Sequence, residues 1–240
     1  MLFIVQDPYT SYYDAKVVRD FVALTQKLGF EPILLPFKPN GKAMHIKGFL
    51  TRFSKTAKTQ AEFLNRVAKL NVPLVGVDPA IVLSYRDEYK EALGDSRGDF
   101  YVLTAHEWLT NQLESNALRS AVKNIAKSDR TFEWHLFPHC TESTFMPNSP
   151  KEWQHIFAQF GQTLKVEKVG CCGMAGVFGH EVQNQTMSKE IYDVSWGKKL
   201  QGKDPNYCLA TGYSCRSQVK RYEKAILKHP VQALLEVLNN

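Results

Sequence analysis

The chain has 240 residues, of which 44% are hydrophobic and 22% are charged. This composition is typical of a folded globular protein and excludes collagen-like and disordered chains. The formal net charge is +6, but no run of five or six like charges occurs. Because the sequence also lacks zinc-finger spacing and an aromatic RNA-recognition motif, we do not expect nucleic acid as a partner.

The sequence shows no signal for export or for membrane insertion. No apolar run approaches the roughly 18 residues that a transmembrane segment needs, and the first residues lack a basic region followed by a cleavage site. We therefore expect a cytoplasmic location, with peripheral attachment to the inner membrane left open. In that compartment the five cysteines should be reduced. The apolar start of the chain fits a domain that belongs to a longer polypeptide.

Short apolar runs bounded by turn residues predict β-strands, and apolar stripes at helical spacing predict the helices between them. The predicted strands cover residues 2–5, 32–35, 72–77, 101–103, 134–137, 164–169 and 207–210. The predicted helices cover residues 14–28, 56–70, 106–123, 149–161, 216–228 and 231–238. Their stripes place Leu70 and Ile226 on buried faces. Ser149 and Glu152 predict a capping box around Pro150.

Strands that alternate with helices favour βαβ units and a mostly parallel sheet. The order of elements also repeats along the chain, since strand, loop, helix and strand follow one another similarly in both halves. We therefore predict an α/β fold with two similar βαβ-type lobes. The first lobe covers residues 1–98, a connector covers 99–130, and the second lobe covers 131–240.

All five cysteines lie in the second predicted lobe. Cys140, the pair Cys171 and Cys172, and Cys215 each follow a predicted strand. Because the carboxyl ends of parallel strands share one edge of a sheet, four thiols from three loops should converge there. Thiolates suit iron–sulfur clusters and zinc. Cys208 lies inside a predicted strand and should be buried and inert, which is also the ordinary interpretation of any single cysteine.

Glycine recurs at every third position after the cysteine pair, at Gly173, Gly176 and Gly179. Glycine permits positive φ angles and close backbone approach, so N–H groups can point at cluster sulfurs. The pattern is neither a dinucleotide-binding fingerprint nor a phosphate-binding loop, which excludes a nicotinamide site here. Arg216 would lower the pKa of the adjacent Cys215 thiol or neutralise a negative cluster.

Three segments carry a family resemblance: PHCTE at 138–142, VGCCGMAG at 169–176 and ATGYSCRSQ at 210–218. Together they resemble the cysteine-rich CCG domain of heterodisulfide reductase, of the glycolate oxidase iron–sulfur subunit and of the anaerobic glycerol-3-phosphate dehydrogenase C subunit. The sequence also resembles the C-terminal region of the large D-lactate or D-2-hydroxyglutarate dehydrogenases that carry FAD and a 4Fe-4S centre on a single polypeptide. The resemblance covers nearly all 240 residues as a duplicated CCG-like domain.

This resemblance implies an electron-transfer domain of an FAD-linked D-2-hydroxyacid dehydrogenase. FAD and ferredoxin-type domains of the same polypeptide would be its partners, and a small 2-hydroxyacid would be the substrate of the full enzyme. The chain alone is not expected to be active, and no catalytic residue is assigned. The site residues it implies are Cys140, Cys171, Cys172 and Cys215 as ligands of a 4Fe-4S cluster or a metal ion such as zinc, with Gly173, Gly176 and Arg216 around the cofactor.

The sequence departs from the family pattern in two places. Gly212 stands where the family often has the first cysteine of a Cys-x-x-Cys element, and the first half has no cysteine. The alternative is therefore a cluster-less or zinc-holding structural or assembly domain of the same kind of oxidoreductase.

Three further residues have both a functional and an ordinary interpretation. Arg86 would clamp a substrate carboxylate or, more ordinarily, form an ion pair with Asp87 or Glu88. His139 and His180 would relay protons or bind a metal, although each is more often a hydrogen-bonded polar residue.

Overall fold

The computed structural model describes residues 1–114, 118, 122 and 132–239. The chain forms two compact units, Met1–Trp108 and Leu109–Asn240. Each contains one sheet of parallel strands with helices, which confirms the predicted α/β class with two similar lobes. The boundaries 1–98, 99–130 and 131–240 stay a prediction. Within the described residues, no helix combines the length and the apolarity that crossing a bilayer requires.

The first unit holds a four-stranded sheet in the order β2-β1-β3-β4, with every neighbouring pair parallel. The strands are β1 (Leu2–Ile4), β2 (Pro32–Leu34), β3 (Leu74–Gly76) and β4 (Val102–Thr104). The helices are α1 (Ala15–Lys27), α2 (Lys42–Ile46), α3 (Leu50–Ala68), α4 (Pro79–Arg86), α5 (Glu88–Leu93) and α6 (Ala105–Leu113). The boundary between the two units falls within α6. Each predicted strand is therefore present, and β4 arises from the start of the predicted connector. The predicted helix 106–123 continues beyond the described residues, apart from buried Leu118 and Val122.

The core of the first unit forms where apolar stripes face the sheet. Val17, Phe21 and Leu24 of α1 are fully buried, as their spacing predicts. The prediction for α3 is wrong at its end, because Leu70 is 63% exposed. The helix begins six residues before the predicted start and ends at Ala68, so the chain has left the helix when it reaches Leu70.

The second unit holds a three-stranded parallel sheet in the order β6-β5-β7. The strands are β5 (Glu133–Phe137), β6 (Thr163–Val166) and β7 (Cys208–Ala210). The helices are α7 (Cys140–Phe145), α8 (Ser149–Gln159), α9 (Gln185–Tyr192), α10 (Lys198–Leu200), α11 (Tyr213–Glu223) and α12 (Pro230–Val237). In both sheets the first strand in chain order lies between the next two. The order β6-β5-β7 therefore matches the order β2-β1-β3, and β4 is an additional edge strand of the first sheet.

Two local predictions for the second unit are wrong. Helix α8 starts at Ser149, but its N-cap is Asn148 and no side chain caps it. The Ser149 hydroxyl instead donates a hydrogen bond to the buried Glu142 carboxylate. Ile226 is 74% exposed rather than inward-facing, because α11 ends at Glu223 and the left-handed residue Lys224 turns the chain away.

Arg86 has a structural partner that its sequence neighbours do not suggest. Its guanidinium forms a two-pronged ion pair with Glu107, with one distance of 3.0 Å, and it also donates to the Val102 carbonyl. It stacks on the Tyr101 ring, with its guanidinium carbon 4.3 Å from the ring centroid. The expected pairing with residues 87 or 88 is therefore corrected: Arg86, the last residue of α4, binds Val102 of β4 and Glu107 of α6.

We expect Glu107→Ala to destabilise the first unit by about 2 kcal/mol, because it leaves the mostly buried Arg86 without its carboxylate. The amide of Thr104 would also lose its 2.8 Å hydrogen bond to Glu107. Thermal unfolding measures the effect, and Glu62→Ala on the exposed face of α3 is the control. Equal melting temperatures for both variants would contradict a role for this ion pair.

Candidate thiol site of the second unit

Three loops at the carboxyl edge of the second sheet carry four cysteines. Cys140 begins α7 directly after β5, Cys171 and Cys172 lie in the loop after β6, and Cys215 lies in the first turn of α11 after β7. All are free thiols. The arrangement follows from the fold, since parallel strands deliver their following loops to the same edge. The structure thus brings together the four cysteines that the sequence singles out.

The four thiols form one connected group, which we call the thiol row. The Cys171 side chain interacts with those of Cys140 and Cys172, Cys172 interacts in turn with Cys215, and the charge of Cys215 also acts on Cys140. Cys172 and Cys215 are buried, whereas Cys140 and Cys171 are half-buried and reach the surface. The row therefore has two inner and two outer thiols. Among the described residues, no three His, Cys, Asp or Glu side chains already surround one point closely enough to hold a single metal ion.

Charge in this row concentrates on Cys171. Hydrogen bonds from the thiols of Cys140 and Cys172 hold the pKa of Cys171 well below its ordinary value, and the backbone N–H groups of Gly173 and Ala175 act in the same direction. The Gly173 nitrogen lies 3.3 Å from the Cys171 sulfur. The same contact with Cys171, together with burial, raises the pKa of Cys140 and of Cys172. Cys171 is thus the thiolate that its neighbours stabilise.

The loop after the cysteine pair is shaped by left-handed residues. Gly173 has φ +82°, Ala175 +40° and Gly176 +71°. Left-handed residues in a loop can turn neighbouring N–H groups toward one side of the chain, where they favour negative charge. Gly173 is buried beside the sulfurs, whereas Gly176 is exposed at the surface. The cofactor contacts of Gly173 and Gly176 therefore stay predictions, and Gly173 is the one of the two with a hydrogen bond to a thiol among the described residues.

His139 caps a helix. Its Nδ1 accepts a hydrogen bond of 3.2 Å from the Thr141 amide at the start of α7, and its Nε2 lies 3.3 Å from the Ser214 hydroxyl. A Cβ atom at Gly212 would lie 2.3 Å from the His139 ring. This ring therefore occupies the space that a cysteine at position 212 would need, which explains why glycine stands there.

Arg216 binds the backbone at the end of β7. Its guanidinium is buried and donates hydrogen bonds of 2.9 and 3.0 Å to the carbonyls of Ala210 and Thr211 at the end of β7. It therefore ties α11 to the strand. His180 is exposed on a short helical turn. Cys208 is fully buried in β7, as its strand position predicts, and burial raises its pKa to about 11.

Sequence patterns do not reveal the buried polar residues behind the site. Glu142 accepts hydrogen bonds from the hydroxyls of Ser149 and Thr211. Ser188 and Gln218 bind the backbone of the cysteine loop, at Gly173 and Cys172. These side chains come from segments far apart in the chain. Glu142, Thr211 and Gln218 stand within the motifs that carry the family resemblance, whereas Ser149 and Ser188 do not.

Comparison with known proteins places the chain beside dehydrogenases. It is 82% identical over 238 residues to a protein named D-2-hydroxyglutarate dehydrogenase from Haemophilus influenzae, which covers 99% of this chain and 23% of that protein. Its identity with the protein of the same name from Escherichia coli is 59% over 235 residues, covering 98% of the chain and 22% of the relative.

A more distant relative is the C subunit of the anaerobic glycerol-3-phosphate dehydrogenase of Escherichia coli. It is 21% identical over 241 residues, covering 96% of this chain and 57% of that protein. No protein-family model matches the chain. The chain thus spans less than a quarter of the length of these D-2-hydroxyglutarate dehydrogenases. The predicted resemblance to a part of a large D-2-hydroxyglutarate dehydrogenase is confirmed.

Proposed function

We propose that the second unit binds an iron–sulfur cluster, of the 4Fe-4S type, through Cys140, Cys171, Cys172 and Cys215. The observation that carries this proposal is the thiol row, a connected group of four thiol side chains from three loops. Four soft donors at one edge, with backbone N–H groups aimed at their sulfurs, match what such a cluster needs.

The chain's own residues have distinct roles in this proposal. The four cysteines hold the group, while the amides of Gly173 and Ala175 stabilise negative charge on Cys171. The core beside Cys172, which includes Phe137 and Trp196, excludes water from the inner thiols. When bound, the cluster would supply one-electron transfer, and the redox chemistry would belong to it rather than to the protein.

For the whole protein we propose an oxidoreductase that acts on a small D-2-hydroxyacid. The names of the similar dehydrogenases support this class of substrate. Flavin, as FAD, and ferredoxin-type domains would belong to the same polypeptide, and electrons would pass from the flavin through iron–sulfur centres to an acceptor. We place this activity in the cytoplasm. The first unit, which has no cysteine, would be the lobe without a cluster.

A second candidate is a domain that holds zinc or no metal and serves assembly of the same enzyme. One observation favours it: within the described part of the chain, no three ligating side chains surround a common point. In that case the thiol row would be the remnant of a lost cluster site, or its cysteines would surround a zinc ion only after the loops rearrange.

Metal analysis of the anaerobically purified chain separates the two candidates. We expect broad visible absorbance with iron and acid-labile sulfide, and we expect both to disappear when Cys171 and Cys172 are replaced by serine. Cys208→Ala, in the same unit but outside the row, should retain them. Colourless protein that contains zinc would support the second candidate. Metal content unchanged in the Cys171→Ser, Cys172→Ser variant would eliminate the row as the site.

A further inference from the structure

In the cysteine loop, two peptide groups each bind a buried side chain through the carbonyl and a thiol through the N–H. In the first, the Cys172 carbonyl accepts a 3.0 Å hydrogen bond from the Gln218 side-chain amide, while the Gly173 N–H donates to the Cys171 sulfur. The carbonyl and N–H of a trans peptide point in opposite directions. Because Gln218 holds the carbonyl on the side away from the thiols, the N–H points toward the Cys171 sulfur.

The next peptide group repeats the arrangement. The Gly173 carbonyl accepts a 2.8 Å hydrogen bond from the Ser188 hydroxyl. The N–H of the same peptide belongs to Met174 and faces the Cys172 sulfur. Two consecutive peptides are thus bound from behind, and each presents its N–H to a different sulfur of the row.

The two residues behind the loop also hold each other. The Gln218 amide nitrogen lies 2.9 Å from the Ser188 hydroxyl oxygen, and both side chains are fully buried. Ser188 belongs to α9 and Gln218 to α11, so two helices share the task. There is little free space: a Cβ at Gly173 would lie 2.1 Å from the Ser188 carbonyl oxygen, and one at Gly179 would lie 2.7 Å from the Ser188 hydroxyl oxygen.

We propose that Ser188 and Gln218 are positioning residues that orient the N–H groups of Gly173 and Met174 toward the thiol row and so set its affinity for metal. This inference rests on the proposed function for its metal-binding part. Hydrogen bonds to a ligating sulfur stabilise its negative charge. Mutation of a residue that hydrogen-bonds to a metal ligand typically weakens metal binding about 10–100-fold. In a cluster, the same N–H groups favour the more negative, reduced state, so they raise the reduction potential.

Titration with Cd²⁺ tests the affinity, because binding to thiolates gives an ultraviolet sulfur-to-metal absorbance that needs no enzyme activity. We expect Ser188→Ala and Gln218→Met each to weaken Cd²⁺ binding about 10-fold. Ser217→Ala, next to Gln218 and half-exposed, is the matched control and should bind like the wild type. In cluster-loaded protein, both variants should show a more negative reduction potential. Unchanged affinity and potential would overturn the inference while leaving the proposed function intact.

Alkylation of the metal-free protein gives a readout that does not depend on the proposed function. Releasing the loop should speed modification of buried Cys172 relative to buried Cys208, which lies in β7. General unfolding would instead expose both cysteines together. If the wild type binds neither Cd²⁺ nor iron, the proposed function fails, and the ratio of these two rates still decides whether Ser188 and Gln218 hold the loop. An unchanged ratio in both variants would show that they do not.

Discussion

Replacing Gly173 by alanine should destabilise the second unit by about 3 kcal/mol and abolish the metal binding that we propose for it. The residue has φ +82°, a region in which an L side chain costs about 1–2 kcal/mol. The added Cβ would also lie 2.1 Å from the backbone carbonyl oxygen of Ser188, which cannot swing away as the end of a side chain would. The loop must therefore move, and the N–H groups behind Cys171 and Cys172 move with it. Urea denaturation and metal analysis measure the two effects.

Gly202→Ala separates the two causes. Gly202 lies in the same unit with φ +74°, and nothing lies within 4 Å of its Cβ position. We expect this variant to lose only about 1 kcal/mol of stability, the backbone cost alone, and to keep the proposed metal binding at the wild-type level. The difference between the variants then reports the contact with Ser188. Equal losses of stability, with metal retained in both, would show that the loop tolerates a side chain at position 173.

Asp7→Asn should stabilise the first unit by about 3 kcal/mol at pH 8 and have little effect below pH 4. Asp7 follows β1 and is buried; burial, and then the negative charge of Asp78, raise its pKa from 3.8 to about 6. A raised pKa in the folded state stabilises the protein at low pH, and this contribution is lost as the pH rises through 6. A shift of about two units corresponds to about 3 kcal/mol. The asparagine oxygen can still accept the hydrogen bonds that Tyr9 and Thr10 amides donate to Oδ1.

Urea denaturation at pH 4, 6 and 8, followed by hydrogen exchange in β1 and β3, measures this effect in the first unit. Asp78→Asn is an informative second variant, because its oxygen can still cap α4 through the amides of Ala80 and Ile81. It removes the charge beside Asp7 but leaves Asp7 buried, so the pH dependence should shrink without disappearing. A stability difference between wild type and Asp7→Asn that stays constant from pH 4 to 8 would contradict the raised pKa.

The sequence reveals the elements of this fold more reliably than their ends. Short apolar runs predict every strand of both sheets. The apolar signal is strongest for β1, β3 and β7, which are buried along their whole length, whereas the edge strands β2 and β6 are partly exposed. Ends depend on single residues, and Ser149 illustrates the difficulty. Its position fits an N-cap, but a hydrogen bond to the buried Glu142 offers its hydroxyl a different partner. Leu70 and Ile226 fail for a related reason, since each lies beyond the true end of its helix.

Some features of the candidate site can likewise be predicted from the sequence and others cannot. The convergence of Cys140 with Cys171 and Cys215 is predictable because strand topology alone brings the loops together. The side chains behind the loop are not predictable in this way. Ser188 contacts a carbonyl 15 residues away and Gln218 one 46 residues away, and serine or glutamine in a helix carries no signal of its own. Such contacts depend on how helices pack, which a single sequence does not reveal.

Because the four thiols are unequally buried, they should differ in their sensitivity to oxidation. Peroxide and other small oxidants reach Cys140 and Cys171 first, because these two are half-buried while Cys172 and Cys215 are closed off. Oxidation of an exposed thiolate begins with sulfenic acid, which a neighbouring thiol can capture reversibly. Cys140, whose side chain interacts with Cys171, is the neighbouring thiol that would capture a sulfenic acid on Cys171. Oxidation in air would therefore start at Cys140 and Cys171 and reach Cys172 and Cys215 later.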